Sequence, residues 1–502
     1  MIICGVDLVM GQITFQKKYG VSSGNKAKSV CQTTDGGYIM AGETISPAPF
    51  YDDLCLVKTD SIGDTVWTKY YRGEFLEYCF SVKQIFDGGY ILTGFNQVAN
   101  QNYTNNVCLL KTDSIGNLIW SKSFGGTYHD YGYDVEQTSD SGYVITGSFD
   151  DTQVYLIRTD TNGNLTWNKK FNGTNTPSSG RAVKQLYDGG FIIAGFGYFG
   201  INIEDVYLIR TDSSGNLIWS KNYGGSGIEI GRDVILTTDG GFLITGSTES
   251  FGAGDVDVYV IKTDSLGNVL WSKTFGGAGS DFGASAQQTT DGSYLICGGS
   301  ESFTGICSVY LNKIDSTGNL MWSKNYGYAN FYSGFDAQQT SDNGFIMVST
   351  QAGFYLIKTD SLGNSGCNES IPATITDTAS TITGIPATAV NLPATIEFSE
   401  PRIVGSAGQI TTLCTSVPTE INELKKDPVI RISPNPISGF LIISGSKEFG
   451  ILAIYDISGQ ELIRQNTSEG TTLIKTEKLS DGIYFLRYTE EDKTVTLKLI
   501  KH

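Results

Sequence analysis

The chain has 502 residues, 35 basic against 52 acidic, for a formal net charge of -17, with 61 Gly, 27 Tyr, 25 Phe and only 17% charged residues. That balance belongs to turn-rich β structure and excludes coiled coils, helical bundles and solvated disorder, while the negative charge makes nucleic acid an unexpected partner. Two histidines, His129 and His502, are too few for a histidine metal cluster or a Ser-His-Asp relay, and neither a metal nor a cofactor is expected.

Residues 1–11 read either as a signal-peptide remnant or as an ordinary N-terminal segment, because they lack a positive n-region. No run of eighteen apolar residues occurs anywhere, so no membrane-spanning helix is predicted. From residue 12 to 366 one unit repeats. Its anchor is a basic residue two positions before Asp: Lys58/Asp60, Lys111/Asp113, Arg158/Asp160, Arg210/Asp212, Lys262/Asp264, Lys313/Asp315 and Lys358/Asp360, recurring about every 50 residues. Seven residues after the first six Asp stand Trp67, Trp120, Trp167, Trp219, Trp271 and Trp322; the last copy has Cys367 there. Asp-Gly turns such as 35–37 and 239–241 punctuate each copy, so each unit reads as a four-stranded antiparallel meander.

The expected fold is therefore all-β, a seven-bladed β-propeller over 12–366, since meanders packed about an axis bury their faces against neighbours. The last copy lacks its Trp-bearing strand, and residues 11–17 match that strand with Phe15 in the Trp position. The N-terminal strand is expected to close the last blade. Phe15 and the six Trp are assigned to packing between blades; the Lys two residues beyond each Trp, with Lys58 and its equivalents, are expected to lay their stems over strand surfaces and pair with repeated carboxylates or solvent. The repeated Asp is assigned to a backbone-bonding turn, Asp255-Val-Asp257 to a loop rather than a metal site, and Gln32, Gln84, Gln137, Gln185, Gln288 and Gln339 to bonds with neighbouring blades or channel water.

Candidate ligand-binding residues come from two places. Just before the first strand of each copy stand Asn25, Glu77, Asp130, Ser178, Glu229, Asp281 and Tyr332, four of them carboxylates, placed by this reading at a channel mouth. The aromatic loops around Tyr70, Tyr128-His129 and Tyr332 add faces suited to sugars or protein side chains. Repetition itself names no catalytic pair, and no catalytic residue is assigned. The stretch Leu208-Ile-Arg-Thr-Asp-Ser-Ser-Gly-Asn-Leu-Ile-Trp219 resembles PQQ-type propeller repeats; the adjacent-Cys and metal-ligand constellation of those enzymes is missing, so the resemblance implies fold and no quinone cofactor. Of nine cysteines, most read as core; Cys297 with Cys307, and Cys367 with Cys414, are the pairs that spacing allows to bridge.

Residues 367–428 form a Thr/Pro-rich segment in which units beginning at Pro372, Ala379, Pro386, Pro393 and Pro401 follow one another every seven or eight residues. It reads as a semi-rigid connector, with a small cross-linked structure between Cys367 and Cys414 as the alternative. From 429 to 502 the charge is balanced and short strand-like pieces predict a compact β-sandwich. There, Ile432-Ser-Pro434-Asn435-Pro436, Ile454-Tyr-Asp-Ile-Ser-Gly459-Gln460, Leu479-Ser-Asp-Gly482-Ile-Tyr484 and Lys498-Leu-Ile-Lys501 resemble the type A C-terminal sorting domain of the Bacteroidota type IX secretion system; His502 departs from its end. The resemblance implies export through an outer-membrane translocon and a secreted or cell-surface destination. The expected function is binding of an extracellular protein or polysaccharide, with a polysaccharide hydrolase or lyase and a structural matrix spacer as alternatives.

Overall fold

The computed structural model describes residues 12–20, 25–45, 52–73, 75–98, 103–172, 175–199, 204–327, 336–351 and 353–378, with shorter stretches within 382–416 and 431–501. Two compact units divide the chain, Met1–Pro418 and Thr419–His502. All regular structure among the described residues is strand.

Among the described residues the first unit holds seven separate five-stranded antiparallel sheets. The first sheet is typical: Lys26–Gln32, Tyr38–Ile45, Asp52–Thr59 and Thr65–Arg72 pair in chain order, and Arg402–Gly405 adds a fifth strand beside the last of them. Middle strands such as Asp257–Thr263 and Phe345–Thr350 are buried along their whole length, which is why they read as apolar runs with little alternation. A basic residue in the third strand of every sheet bonds the Asp of the turn between the first two: Lys58 to Asp35 at 2.9 Å, Lys111 to Asp87 at 2.8 Å, Lys262 to Asp239 at 2.9 Å, Lys313 to Asp291 at 2.6 Å, Lys358 to Asp342 at 2.9 Å, and Arg158 and Arg210 to Asp140 and Asp188.

The expected seven-bladed propeller closed by its N-terminal strand requires correction. No sheet is closed into a ring; each is an open ladder with two edges, and each holds five strands rather than four. The strand Thr14–Tyr19 does pair with Phe354–Thr359, with Phe15 opposite Lys358, but it is not the outer edge: Ile410–Ser416 pairs along its other side. The Thr/Pro-rich stretch is likewise not a connector. Its strands Glu369–Ser370, Ile375–Thr378, Ile382–Thr383, Thr388–Asn391, Thr395–Glu397, Arg402–Gly405 and Ile410–Ser416 each cover the fourth strand of one sheet, taken in reverse order. The physical reason is edge satisfaction: each Trp-bearing strand has an unpaired outer row of backbone N–H and C=O groups. A seven-residue step of extended chain reaches at most about 25 Å, which lets one repeat of the segment carry the chain from one sheet edge to the next. Cys367, at the start of this segment, is disulfide-bonded, whereas Cys297 and Cys307 are free and buried.

Consecutive sheets pack through the aromatic of the fourth strand. Trp67, Trp120, Trp167, Trp219, Trp271 and Trp322 sit 5.8–6.4 Å, ring to ring, from Tyr90, Tyr143, Phe191, Phe242, Tyr294 and Phe345 of the next sheet, and Phe15 lies 6.2 Å from Tyr38. Beside them Tyr71, Tyr223 and Tyr326 donate to the carbonyls of Gly116, Gly267 and Gly363 at 2.6–2.7 Å. Lys122, Lys169, Lys221 and Lys324 reach the turn amides of Asn164, Asn216, Asn268 and Asn364 at 2.7–3.2 Å, and Lys17 pairs with Asp64 at 2.7 Å.

In the second unit Arg431–Ser433, Phe440–Ser446 and Gly470–Lys475 form one antiparallel sheet, and Glu461–Asn466, Ile451–Tyr455, Gly482–Glu490 and Lys493–Lys501 another. Leu441, Leu452, Ile454, Ile474, Leu486 and Tyr488 form its buried core, with alternate residues of Gly482–Glu490 pointing inward.

Candidate functional site

The first strands of all seven sheets line one cavity of about 300 Å³. A β-bulge recurs in six of them, between Ala27/Ser29, Cys79/Ser81, Gly132/Asp134, Gly180/Ala182, Gly231/Asp233 and Gly283/Ser285. A bulge leaves one residue unpaired and re-aims its side chain. The bulged residues Lys28, Phe80, Tyr133, Arg181, Arg232 and Ala284 all line the cavity, and they range from basic through aromatic to small.

The next position holds the sheets to one another. Asp134 accepts from the Val183 amide at 3.1 Å and from the Ser81 hydroxyl at 2.9 Å; Asp233 accepts from the Ala286 amide at 2.8 Å, and Asp336 from the Val30 amide and Ser29 hydroxyl at 3.0 Å. Burial pushes the Asp134 carboxyl up, but Lys184 and Lys83 outweigh it and hold the group below the usual range. Asp233 is pushed up to about 6 by burial. Lys184 lies 3.5 Å from Asp134 and 3.6 Å from Glu136, and its pKa is raised by those carboxylates despite burial. The glutamines of these strands accept backbone amides from the preceding sheet: Gln84 from Thr34, Gln137 from Phe86, Gln185 from Ser139 and Gln288 from Thr238, each at 2.8 Å.

Arg181 and Arg232 stand apart. The Arg181 guanidinium lies over Tyr133, 3.9 Å from the ring centre, with Phe196 at 5.4 Å, and Arg232 lies 5.5 Å from Phe282. Neither Nε has a hydrogen-bond partner among the described residues.

The carboxylates singled out from sequence are placed elsewhere. Glu77, Asp130, Glu229 and Asp281 are buried, not exposed at a mouth. Asp130 accepts from the Gly126 and Asp150 amides at 2.9 and 3.0 Å; Glu229 from the Gly225 amide at 2.8 Å and the Thr248 hydroxyl at 2.8 Å; Asp281 from the Gly277 amide at 2.7 Å and the Ser302 hydroxyl at 2.6 Å. Glu77 takes the Gly73 amide. Each thus pins the loop that enters its sheet. Burial pushes Glu77 up to about 8 and Asp130 up to about 7, and raises Asp281 as well. The signal for this role is a Gly four residues upstream, Gly73, Gly126, Gly225 and Gly277.

His129 does not pair with Asp130: its Nδ1 accepts from the Asn105 amide at 3.2 Å and its ring stacks on Tyr131. Tyr128 is exposed, and Tyr332 lies outside the described residues. Asp257 accepts the Ala253 and Gly254 amides at 2.8 and 3.0 Å, a loop-holding role, and no group of three metal-ligating side chains occurs among the described residues. Sequence reading missed the bulged residues. Their signal was a position of the first strand that varies from copy to copy, usually just after a Gly.

In the second unit Gly482 stands opposite Lys501 across a strand pair, and Tyr484 is buried with its hydroxyl donating to the Ser480 carbonyl at 2.7 Å. Pro434, Asn435, Pro436 and Gly459 lie outside the described residues, as do residues 1–11. A family model described as a secretion system C-terminal sorting domain matches residues 431–502. The chain carries a C-terminal sorting domain. It is of the kind typical of type IX secretion cargo, and with it the chain is a secreted or surface all-β protein. No helix among the described residues is long and apolar enough to cross a membrane. No curated protein matches the chain. Among solved structures the chain is similar to Sqt1 from Chaetomium thermophilum at 10% identity, over 66% of this chain and 85% of that one, with a TM-score of 0.37. It is also similar to PorZ, a bacterial surface component of the type-IX secretion system of Porphyromonas gingivalis, at 10% identity over 95% and 82% of the two chains, with a TM-score of 0.28. A eukaryotic initiation factor matches at 9% identity over 63% and 96%, with a TM-score of 0.29. At these scores none of the three bears on what this chain does.

Proposed function

We propose that this protein is a surface-displayed or released binding protein whose seven-sheet unit takes an extracellular protein or polysaccharide, delivered to the outside by the type IX translocon that reads its sorting domain. One observation carries the reading: the bulged residues that line the cavity, Lys28, Phe80, Tyr133, Arg181, Arg232 and Ala284, give it an asymmetric lining. A scaffold needs equivalent residues in equivalent places, whereas recognition needs local asymmetry with a few convergent polar groups. The buried carboxylates Glu77, Asp130, Glu229 and Asp281 are already engaged in holding backbone amides, which favours binding over acid-base hydrolysis.

The test is a binding screen of the full chain on arrays of extracellular proteins and glycans, repeated with Tyr133→Ala and Arg181→Ala. Selective retention that weakens in both variants is expected. Absence of binding across the arrays, or binding indifferent to both substitutions, would refute the assignment; self-association without selective ligands would point to a matrix spacer instead.

A further inference from the structure

In a chain of net charge -17, the cavity is lined by five cations, Lys28, Lys83, Arg181, Lys184 and Arg232, and three carboxylates, Asp134, Asp233 and Asp336. The carboxylates are committed to amides of the adjoining sheets. Lys184 is neutralised by Asp134 and Glu136, and Lys28 lies 3.9 Å from Glu43. Arg181 and Arg232, on adjacent sheets, form no ion pair among the described residues, although Asp151 feels the Arg181 charge; they lie over the rings of Tyr133 and Phe282, with Nε of each unpartnered among the described residues. Two like charges facing one half-buried cavity repel each other unless something compensates them. Burial, with Arg181 beside it, lowers Arg232 to about 10. A guanidinium offers five donors in a planar fork that matches a carboxylate bidentately, and an aromatic ring against it narrows the positions the fork can take.

The remaining lining suits the rest of such a ligand. Ser29, Ser81, Ser285, Gln287 and Gln338 also line the space of about 300 Å³, their oxygens bonded between sheets and the Gln287 and Gln338 Nε2 groups left as donors, and Phe80 adds an aromatic side chain. That volume lies at the lower end of ligand pockets, where a single sugar-sized acid fits. We propose that this cavity is a carboxylate-binding site in which the forks of Arg181 and Arg232 clamp a small acidic ligand of the uronic-acid class, either free or as the end of an acidic polysaccharide. The proposal narrows the binding reading above and rests on it in one respect, that the cavity is where the ligand sits.

Calorimetric titration of the full chain with sodium glucuronate, sodium acetate, an oligoglucuronate and glucose tests it. Glucuronate and acetate bind saturably and more weakly at high salt, and glucose does not bind. Glucuronate tighter than acetate shows that the sugar hydroxyls are read, and an oligoglucuronate tighter still identifies the polymer end as the source. Arg181→Gln and Arg232→Gln each weaken glucuronate about 10- to 100-fold, the loss expected of a charged hydrogen-bonding group. Arg181→Lys with Arg232→Lys keeps the charge but loses the fork, so it also binds more weakly and controls for a Gln variant that fails to fold. No saturable binding of either anion, or binding unchanged in the double Lys variant, overturns the proposal. Glucose bound as tightly as glucuronate overturns the carboxylate clamp while leaving the cavity as the binding place.

Discussion

Replacing Phe15 with Ala should unsettle a whole sheet, although the residue stands near the start of the described chain. Its side chain is fully buried among Tyr38, Met40, Val57, Ile346 and Leu356, and its strand lies between Phe354–Thr359 and Ile410–Ser416. Removal of a fully buried Phe costs about 3–5 kcal/mol, to which the edge-on pair with Tyr38 adds about 0.5–1.5 kcal/mol. A loss of about 4–5 kcal/mol is a large share of the 5–15 kcal/mol that typically holds a domain together. All six Trp lie between residues 67 and 322, so denaturant unfolding followed by Trp fluorescence reports on the first unit alone. The midpoint should fall in proportion, and Gln16→Ala, which removes the bonds to Ser365 at 2.7 Å and to Tyr355, should lower it further in the double variant. A cost under about 1 kcal/mol for Phe15→Ala would show that the strand is peripheral and would refute the reasoning.

Other expectations follow from the same packing. Gly116 and Gly88 share nearly the same backbone, φ 76° and 83°, but a Cβ at Gly116 would come 2.8 Å from Trp67 while one at Gly88 meets nothing within 4 Å. Gly88→Ala should therefore cost only the left-handed penalty of about 1–2 kcal/mol and Gly116→Ala clearly more; equal losses would mean the Trp wedge is loose. Glu77, raised to about 8 by burial, contributes stability that is complete below pH 4 and is lost as pH rises through 8. Glu77→Gln should accordingly gain on the parent protein as pH climbs from 5 to 9 in thermal melts, and a gap independent of pH would contradict the assignment. The thiols Cys31, Cys55, Cys79, Cys108, Cys297 and Cys307 are buried, with Cys31 lifted to about 11 and Cys307 to about 12 by burial. A thiol reagent at pH 8 should leave them unmodified in the folded protein and reach all six after unfolding without reductant; rapid labelling of the folded chain would show that these strands open readily.

What local chemistry dictates was legible. The basic residue two before each Asp, the turn Asp itself and the Gln of the first strand all act within reach of their own repeat or its neighbour, so period and residue type sufficed to place them. The sorting segment was legible for the same reason, because its turns and strand residues lie close together in sequence. Contacts between distant parts were not. Glu77 and its counterparts looked like a charged rim because the Gly four residues upstream marks a turn without showing that its amide will bond the carboxylate and bury it. The Thr/Pro-rich stretch looked like a stalk because extension is set by Thr, Ile and Pro locally, whereas pairing depends on an edge that another part of the chain leaves open.

Sequence by itself decided that the chain would be strand, how many times the unit recurs, and where the address for export sits, since each follows from residue spacing over a few positions. Only the tertiary structure decided that residues 369–416 give every sheet its fifth strand, and that the bulges turn Arg181 and Arg232 into one shared cavity. Hydrogen-bond edges and bulge directions belong to pairs of strands, and no single segment of sequence contains both members of the pair.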